Sequence, residues 1–358
     1  MVISILTCLL DAFWCPNPLR NIEQMNSNKT FDQEHLEPHV RLFLSVDMIG
    51  STAYKQRWIS AEVNESWILF FESFFDAFNN KFHSEIDKIF NVPGVTKTEF
   101  PGPWKLLGDE ILYAIKLNKG WEVSHYVNAF REAVISHRNE IEKSGKPVSL
   151  KATAWLAGFP VGNSVIVTPA GGIDFIGPLI DIGFRLSKFA SRERMILSVD
   201  LVWYLTKGPS ALNHLFLDSL KSLDGVLGGK PYPIIWYSMD IQLSSGMRDV
   251  GLISTVDAAK LHTYCDLFIS RAPKPLIHPF FTEDGDPMPD NYSTDLERVR
   301  QLRNNIPDGH PEETYDKSVD VMTNEDYKII NKTKSSIESN IALLNKPSGI
   351  SESVDTSI

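Results

Sequence analysis

The chain has 358 residues, 43% of them hydrophobic, and a formal net charge of −10, which allows one sizeable core with appendages. The acidic balance argues against a grip on nucleic-acid backbone, because that needs clustered lysine and arginine to displace counterions. Three cysteines, Cys8, Cys15 and Cys265, without a close pair downstream give neither a disulfide framework nor a thiolate zinc site, which fits a reducing cytoplasm.

The start, MVISILTCLLDAFWCPNPLR, is apolar, but no basic residue precedes its hydrophobic run and the run is too short to cross a bilayer, so no membrane anchor is expected. Residues 16–39 read as a polar lead-in. RLFLSVD, 41–47, is a short apolar run with β-branched and aromatic residues and predicts a buried strand. The GST that follows supplies turn and helix-capping chemistry. Trp67, Phe70, Phe71, Phe74, Phe75, Phe78 and Phe82 recur at helical spacing and form a packing face.

FPGPWKLLGDEILYAIKL, 100–117, reads as two short strands hinged at Gly108 and Asp109. A helix is predicted over 121–143; Gly145, Lys146 and Pro147 break it, and VSLKATAWLAG resumes as strand. GGIDFIG is a short strand, and PLIDIGFRLSKFAS a helix opened by Pro178. RMILSV, a helical DLVWYLTK and two late strands around LFLDSLKSLDGV and YPIIWYSM complete an interleaved sheet-and-helix pattern. Beyond residue 275 the chain is proline-rich and acidic, with a capped helix at STDLERVRQLRNN and a polar end, so a partly ordered tail is expected. The expected organisation is a lead-in over 1–39, a main domain over 40–240, an extension packed on it over 241–274, and a tail over 275–358. EDGDPMPD has its glycine and prolines misplaced for a calcium loop and reads as a solvated acidic turn.

Asp47 and Asp109 each end an apolar strand beside glycine. If the strands are neighbours, the two carboxylates converge, and each raises the other's pKa unless a cation intervenes. Hard oxygen ligands of this kind suit Mg²⁺ or Mn²⁺. The nine histidines are scattered without ligand spacing, which disfavours a metal-dependent phosphohydrolase. LGGKP, with Pro231 after the lysine, is not a P-loop.

LFLSVDMIGST, KLLGDE and IDFIGPLIDIGFRL, in this order, resemble the three motifs of class III nucleotide cyclases. The resemblance covers residues 40–240. It implies an α+β fold whose central, mainly antiparallel sheet is flanked by helices around a ferredoxin-like core. It also implies that Asp47 and Asp109, with the backbone carbonyl of Met48, hold two Mn²⁺ or Mg²⁺ ions per active site. Arg185 would stabilise the transition state, a task suited to an always-charged planar fork. Lys105 and Asp174 would read the base edge, and Lys230 would contact phosphate.

Asp181 stands where purine cyclases usually carry an asparagine, and Ser51 where they carry a phenylalanine. Four residues from Arg185 on one helix face, the Asp181 carboxylate could hold the guanidinium, accept a sugar hydroxyl, or form a routine helical ion pair. These departures resemble the bacterial antiphage pyrimidine cyclases of the Pycsar type, which make cyclic UMP or cyclic CMP to activate a separately encoded effector. UTP is the favoured substrate, then CTP, then ATP, with a nucleotide-binding homologue lacking turnover as a further alternative. A lysine donor and an aspartate acceptor suit the adenine or cytosine edge, and serve uracil if Asp174 takes the N3 proton and Lys105 meets O4 or O2. The base therefore stays open. The resemblance further implies a head-to-tail homodimer with composite sites, with neither nucleic acid nor membrane as a partner.

Overall fold

The computed structural model describes residues 35–57, 67–90, 102–168, 172–207, 212, 214–251, 256–272 and 276–304. The apolar start and the polar C-terminal end lie outside these residues. The described residues up to Arg303 fall in one compact unit, and the division from a second unit falls at Asn304.

Strand β1 (His39–Ile49) is followed by α1 (Ser51–Arg57) and the aromatic-faced α2 (Trp67–Phe90). A hairpin of β2 (Lys105–Leu107) and β3 (Glu110–Leu117), helix α3 (Trp121–Lys143) and β4 (Ser149–Phe159) come next. The four strands lie in the order β2, β3, β1, β4, with antiparallel neighbours throughout. With helices crossing between β1 and β2 and between β3 and β4, this is the βαββαβ arrangement of a ferredoxin-like core. Beyond β4 the sheet continues through β7 (Arg194–Leu197), β9 (Pro231–Ser238) and β8 (Leu215–Ser222), and only the β4–β7 pair is parallel. The chain is thus α+β, with a mostly antiparallel seven-stranded sheet flanked by helices.

A separate two-stranded ribbon, β5 (Ser164–Val167) with β6 (Ile173–Ile176), leads into α4 (Pro178–Leu186). Helix α5 (Val199–Leu205) follows β7, and α6 (Ile241–Asp249), α7 (Ala258–Arg271) and α8 (Tyr292–Asn304) follow the sheet. Among the described residues, no helix is long and apolar enough to cross a membrane.

Side chains of β1 alternate between two packed faces, as a strand covered on both sides requires. On one face Leu44 lies opposite Tyr113, whose ring meets Phe78 and Phe82 of α2 and Phe130 of α3. On the other, Phe43 stacks on its cross-strand partner Trp155 at 5.4 Å and meets Trp104 and Phe175. That second face carries α4 and the ribbon. A Cβ on Gly183 would fall 2.2 Å from the Trp155 ring, so the absence of a side chain there lets α4 lie flat against β4. Asn163 fixes the start of α4, its Oδ1 accepting from Leu179 N at 3.1 Å and its Nδ2 donating to the Gly158 carbonyl.

Two differences from the sequence reading concern element ends. β1 spans His39–Ile49, past the expected 41–47 at both ends, so Asp47 lies two residues inside its end. The helix expected through residue 191 stops at Leu186 and continues as a 3₁₀ turn, Ser187–Phe189, because Ala190 is already extended.

Candidate active site

Cross-strand partners share a face of the sheet, so register decides which polar groups meet. Asp47 is paired with Glu110 on β3 and with Lys151 on β4. Asp109 precedes Glu110 in a two-residue turn whose first residue, Gly108, has φ of +67°, the conformation that makes glycine the favoured residue there. Asp47 and Asp109 therefore lie at one end of adjacent strands.

Each carboxylate has a lysine. Lys151 Nζ is 2.9 Å from Asp47 Oδ2, and Lys55 Nζ of α1 is 3.7 Å from Asp109 Oδ1. Lys55 also lies over the Phe71 ring at 4.6 Å. Burial, with the negative charges of Asp47 and Asp109, raises the Glu110 carboxyl above the usual range, against the lowering effect of a hydrogen bond from Ser45. The Met48 side chain is buried, so only its backbone could serve a ligand; Ser51, also buried, opens α1.

Two residues nearer the middle of the same face, Ser45 lies opposite Leu112, which in turn pairs with Lys105. Lys105 Nζ donates to Asp174 Oδ2 at 2.6 Å, so the two residues expected to read a base are brought together within one chain. Trp104 Nε1 donates to the Ile173 carbonyl at 3.1 Å, docking β6 on β2, and the Lys105 ammonium lies 4.6 Å from the Trp104 ring centre.

Arg185 lies elsewhere. Its Nε donates to the carbonyl of Asp224, in the turn between β8 and β9, and its Nη1 to the Asp181 carbonyl at 3.3 Å. The guanidinium thus uses the backbone of Asp181, whereas a grip by the Asp181 carboxylate was among the sequence expectations. Asp181 itself is exposed at the start of α4. Lys230 is exposed at the end of the β8–β9 turn. Register fixes where this turn sits: Arg194 lies near the level of Lys151 across β4 and β7, and pairs with Ser238 at the far end of β9. The turn is then seven residues further along the strands, about 20 Å from the level of Asp47.

Lys151 and Lys55 are absent from the sequence-derived set. Among the described residues, no group of three or more His, Cys, Asp or Glu side chains could hold a metal ion. Two partly exposed carboxylates at a strand end do fit Mg²⁺ or Mn²⁺, which bind through one or two carboxylates and complete their shells with water and phosphate.

No family model and no curated protein matches the chain. Among solved structures, the adenylyl cyclase CyaB from P. aeruginosa matches with a TM-score of 0.40 at 14% identity, over 57% of this chain and 95% of that one. The guanylyl cyclase Cya2 matches with a TM-score of 0.39 at 11% identity, over 56% and 92%. A bacterial light-regulated adenylyl cyclase matches with a TM-score of 0.39 at 6% identity, over 70% of each chain. At such weak likeness the fold rests on strand order and register, and the chemistry on the side chains.

Proposed function

We propose that the protein is a divalent-metal-dependent nucleotide cyclase that converts UTP to 3′,5′-cyclic UMP and pyrophosphate, working as a homodimer with composite sites. The observation that carries this reading is the β1–β3 register, which brings Asp47 and Asp109 to one end of neighbouring strands. Asp47, Asp109 and the Met48 carbonyl would hold Mn²⁺ or Mg²⁺. When bound, the metal would favour loss of the ribose 3′-hydroxyl proton and offset negative charge at the α-phosphorus.

The remaining roles belong to the chain's own side chains. Lys151 and Lys55, at the same opening, suit phosphate oxygens as compact positive charges. Lys105 and Asp174 supply one donor and one acceptor to the base edge. Arg185 presents its fork to the α-phosphate while the 3′-oxygen forms its bond to phosphorus, the α–β phosphoanhydride bond breaks and pyrophosphate leaves. In this reading Asp181 would take a sugar hydroxyl, Lys230 a phosphate, and Ser51 would serve the substrate near the first turn of α1.

Two observations support a dimer. Asp47 lies at one end of the sheet and Arg185, on α4, grips the β8–β9 turn at the other, so a head-to-tail second copy is what would bring them together. Leu106, Leu107, Ile173 and Ile176 are exposed around the Lys105–Asp174 pair, an apolar rim that a partner would cover. The resemblance to Pycsar-type cyclases extends the reading to an antiphage second messenger answered by a separate effector. The lysine pairing of both carboxylates favours a second reading, nucleotide binding without turnover.

Incubating the purified protein with each of the four ribonucleoside triphosphates and Mn²⁺, with mass identification of products, tests the proposal. A cyclic pyrimidine nucleotide with pyrophosphate is expected. Cyclic AMP alone defeats the substrate assignment, and no product from any triphosphate defeats the enzyme reading in favour of the binding one.

A further inference from the structure

The ribbon that carries Asp174 is two strands of four residues, separate from the main sheet. A ribbon of this size has no independent stability in water, so the position of Asp174 depends on what the ribbon is tied to. On the β6 side the ties are Trp104 to the Ile173 carbonyl and the base-reading pair itself, Lys105 to Asp174. Phe175 adds a packed anchor, buried against Phe43, Trp104 and Phe159, with the Arg41 guanidinium 4.8 Å from its ring centre.

The β5 side is held from the C-terminal part of the chain. In the last turn of α8, Arg303 Nη2 donates to Ser164 Oγ at 2.5 Å and to the Val165 carbonyl at 3.0 Å. Val165 is buried, and the next residue, Ile166, pairs directly with Asp174. Helix α8 is itself anchored beside this point. Its first residue, Tyr292, is buried and donates its hydroxyl to the carbonyl of Phe159, the last residue of β4, at 3.0 Å. Leu296 is buried one turn on, and Arg300 reaches Glu37 at 3.0 Å.

We propose that Arg303 is a positioning residue for base recognition: by gripping Ser164 and Val165 it makes α8 the clamp that holds the β5–β6 ribbon, and with it Asp174, in register with Lys105. This rests on the reading of Lys105 and Asp174 as the base-reading pair. The ribbon is strung between the Lys105 side chain and α8, so loosening α8 reaches the Lys105–Asp174 pair before it reaches the Asp47–Asp109 end of the sheet. Both bonds come from one nitrogen, so a lysine ammonium can reproduce them and a methionine cannot.

The test compares R303M and R303K with the wild type. In R303M, amide hydrogen exchange of residues 164–167 and 173–176 is expected to quicken at least tenfold, with β1 and β3 unchanged, and R303K is expected to restore most of the protection. In turnover assays R303M is expected to raise KM for the preferred triphosphate at least fivefold and to narrow discrimination among the four triphosphates, with kcat within about twofold of wild type. Wild-type exchange in the ribbon of R303M overturns the clamp. Quickened exchange with unchanged KM and discrimination overturns the link to base recognition, as does an equal loss of kcat and Mn²⁺ binding. If the wild type turns over no triphosphate, the functional reading fails while the exchange experiment still decides whether Arg303 holds the ribbon.

Discussion

Lys151 and Asp47 face each other across β4 and β1, with 2.9 Å between Nζ and Oδ2. An ammonium there balances the carboxylate and also competes with any cation that carboxylate would bind. Replacing Lys151 by methionine should therefore tighten Mn²⁺ binding in the absence of nucleotide, by about two- to fivefold, the scale of a partly exposed ion pair. The same change should weaken binding of a triphosphate. D47N should abolish Mn²⁺ binding and reduce turnover by two to three orders of magnitude, on the order of what removing a transition-state charge partner costs. Titration calorimetry with Mn²⁺ alone, then with a non-hydrolysable triphosphate, separates these effects. Unchanged Mn²⁺ affinity in both variants would remove Asp47 from the metal site.

Asp47 and the β8–β9 turn that Arg185 grips are about 20 Å apart along the strands. On the proposed reading, a complete site needs Asp47 from one copy and Arg185 from another. D47A and R185A proteins should each be inactive alone, and mixing them under conditions of subunit exchange should restore up to about a quarter of wild-type turnover, because half of the chains are then in mixed dimers with one intact site each. Native mass spectrometry establishes that mixed dimers formed. No recovery in their presence would sink the shared-site arrangement.

What was legible in the sequence was local. The β2–β3 hairpin was readable because a glycine stands at a turn between apolar runs, and α3 because its buried positions recur at helical spacing over 121–143. β5 went unread because only Val165 among its four residues is buried, too little to make a pattern. Helices α6 and α7 lay within a stretch read only as a packed extension, although Leu261, Cys265 and Ile269 bury at four-residue spacing. Lys151 and Lys55 were missed for a different reason. Lys151 meets Asp47 through a strand pairing 104 residues apart, and Lys55 meets Asp109 through the fold-back of α1, neither of which leaves a sequence signature. The four-residue spacing of Asp181 and Arg185 was read correctly as one helix face, but the guanidinium is drawn to the β8–β9 turn, a contact set by tertiary packing.

Gly183 provides a test of the packing beneath Arg185. A Cβ there would lie 2.2 Å from Cδ2 and Cε2 of Trp155, a rigid ring that is itself fully buried. G183A gains about 1 kcal/mol of helix propensity, but the overlap displaces α4 or the ring at a cost of about 1–3 kcal/mol. The net loss of up to about 2 kcal/mol should lower the melting temperature by up to several degrees, with reduced turnover because Arg185 lies half a turn further along the same helix. G246A is the control: nothing lies within 4 Å of its added Cβ in α6, so the same substitution should stabilise. A stabilised G183A would mean that α4 does not press on Trp155.

Asp200, in the first turn of α5, gives the fold a pH dependence of definite sign. Burial raises its carboxyl from 3.8 to about 6, although hydrogen bonds from Ser198 and from the backbone of Asp200 and Leu201 act in the opposite direction. A group raised in the folded state binds its proton more tightly there than in the unfolded chain. The associated stability is fully present below about pH 3.8 and is lost as pH rises through about 6. The interval corresponds to on the order of 3 kcal/mol. D200N removes the titrating group while keeping its shape and an acceptor for the helix amides. The variant should therefore gain stability relative to wild type between pH 5 and pH 8, read as the difference in urea midpoints at the two pH values. Equal midpoint differences at pH 5 and pH 8 would show that Asp200 ionises in the folded protein as readily as in the unfolded one.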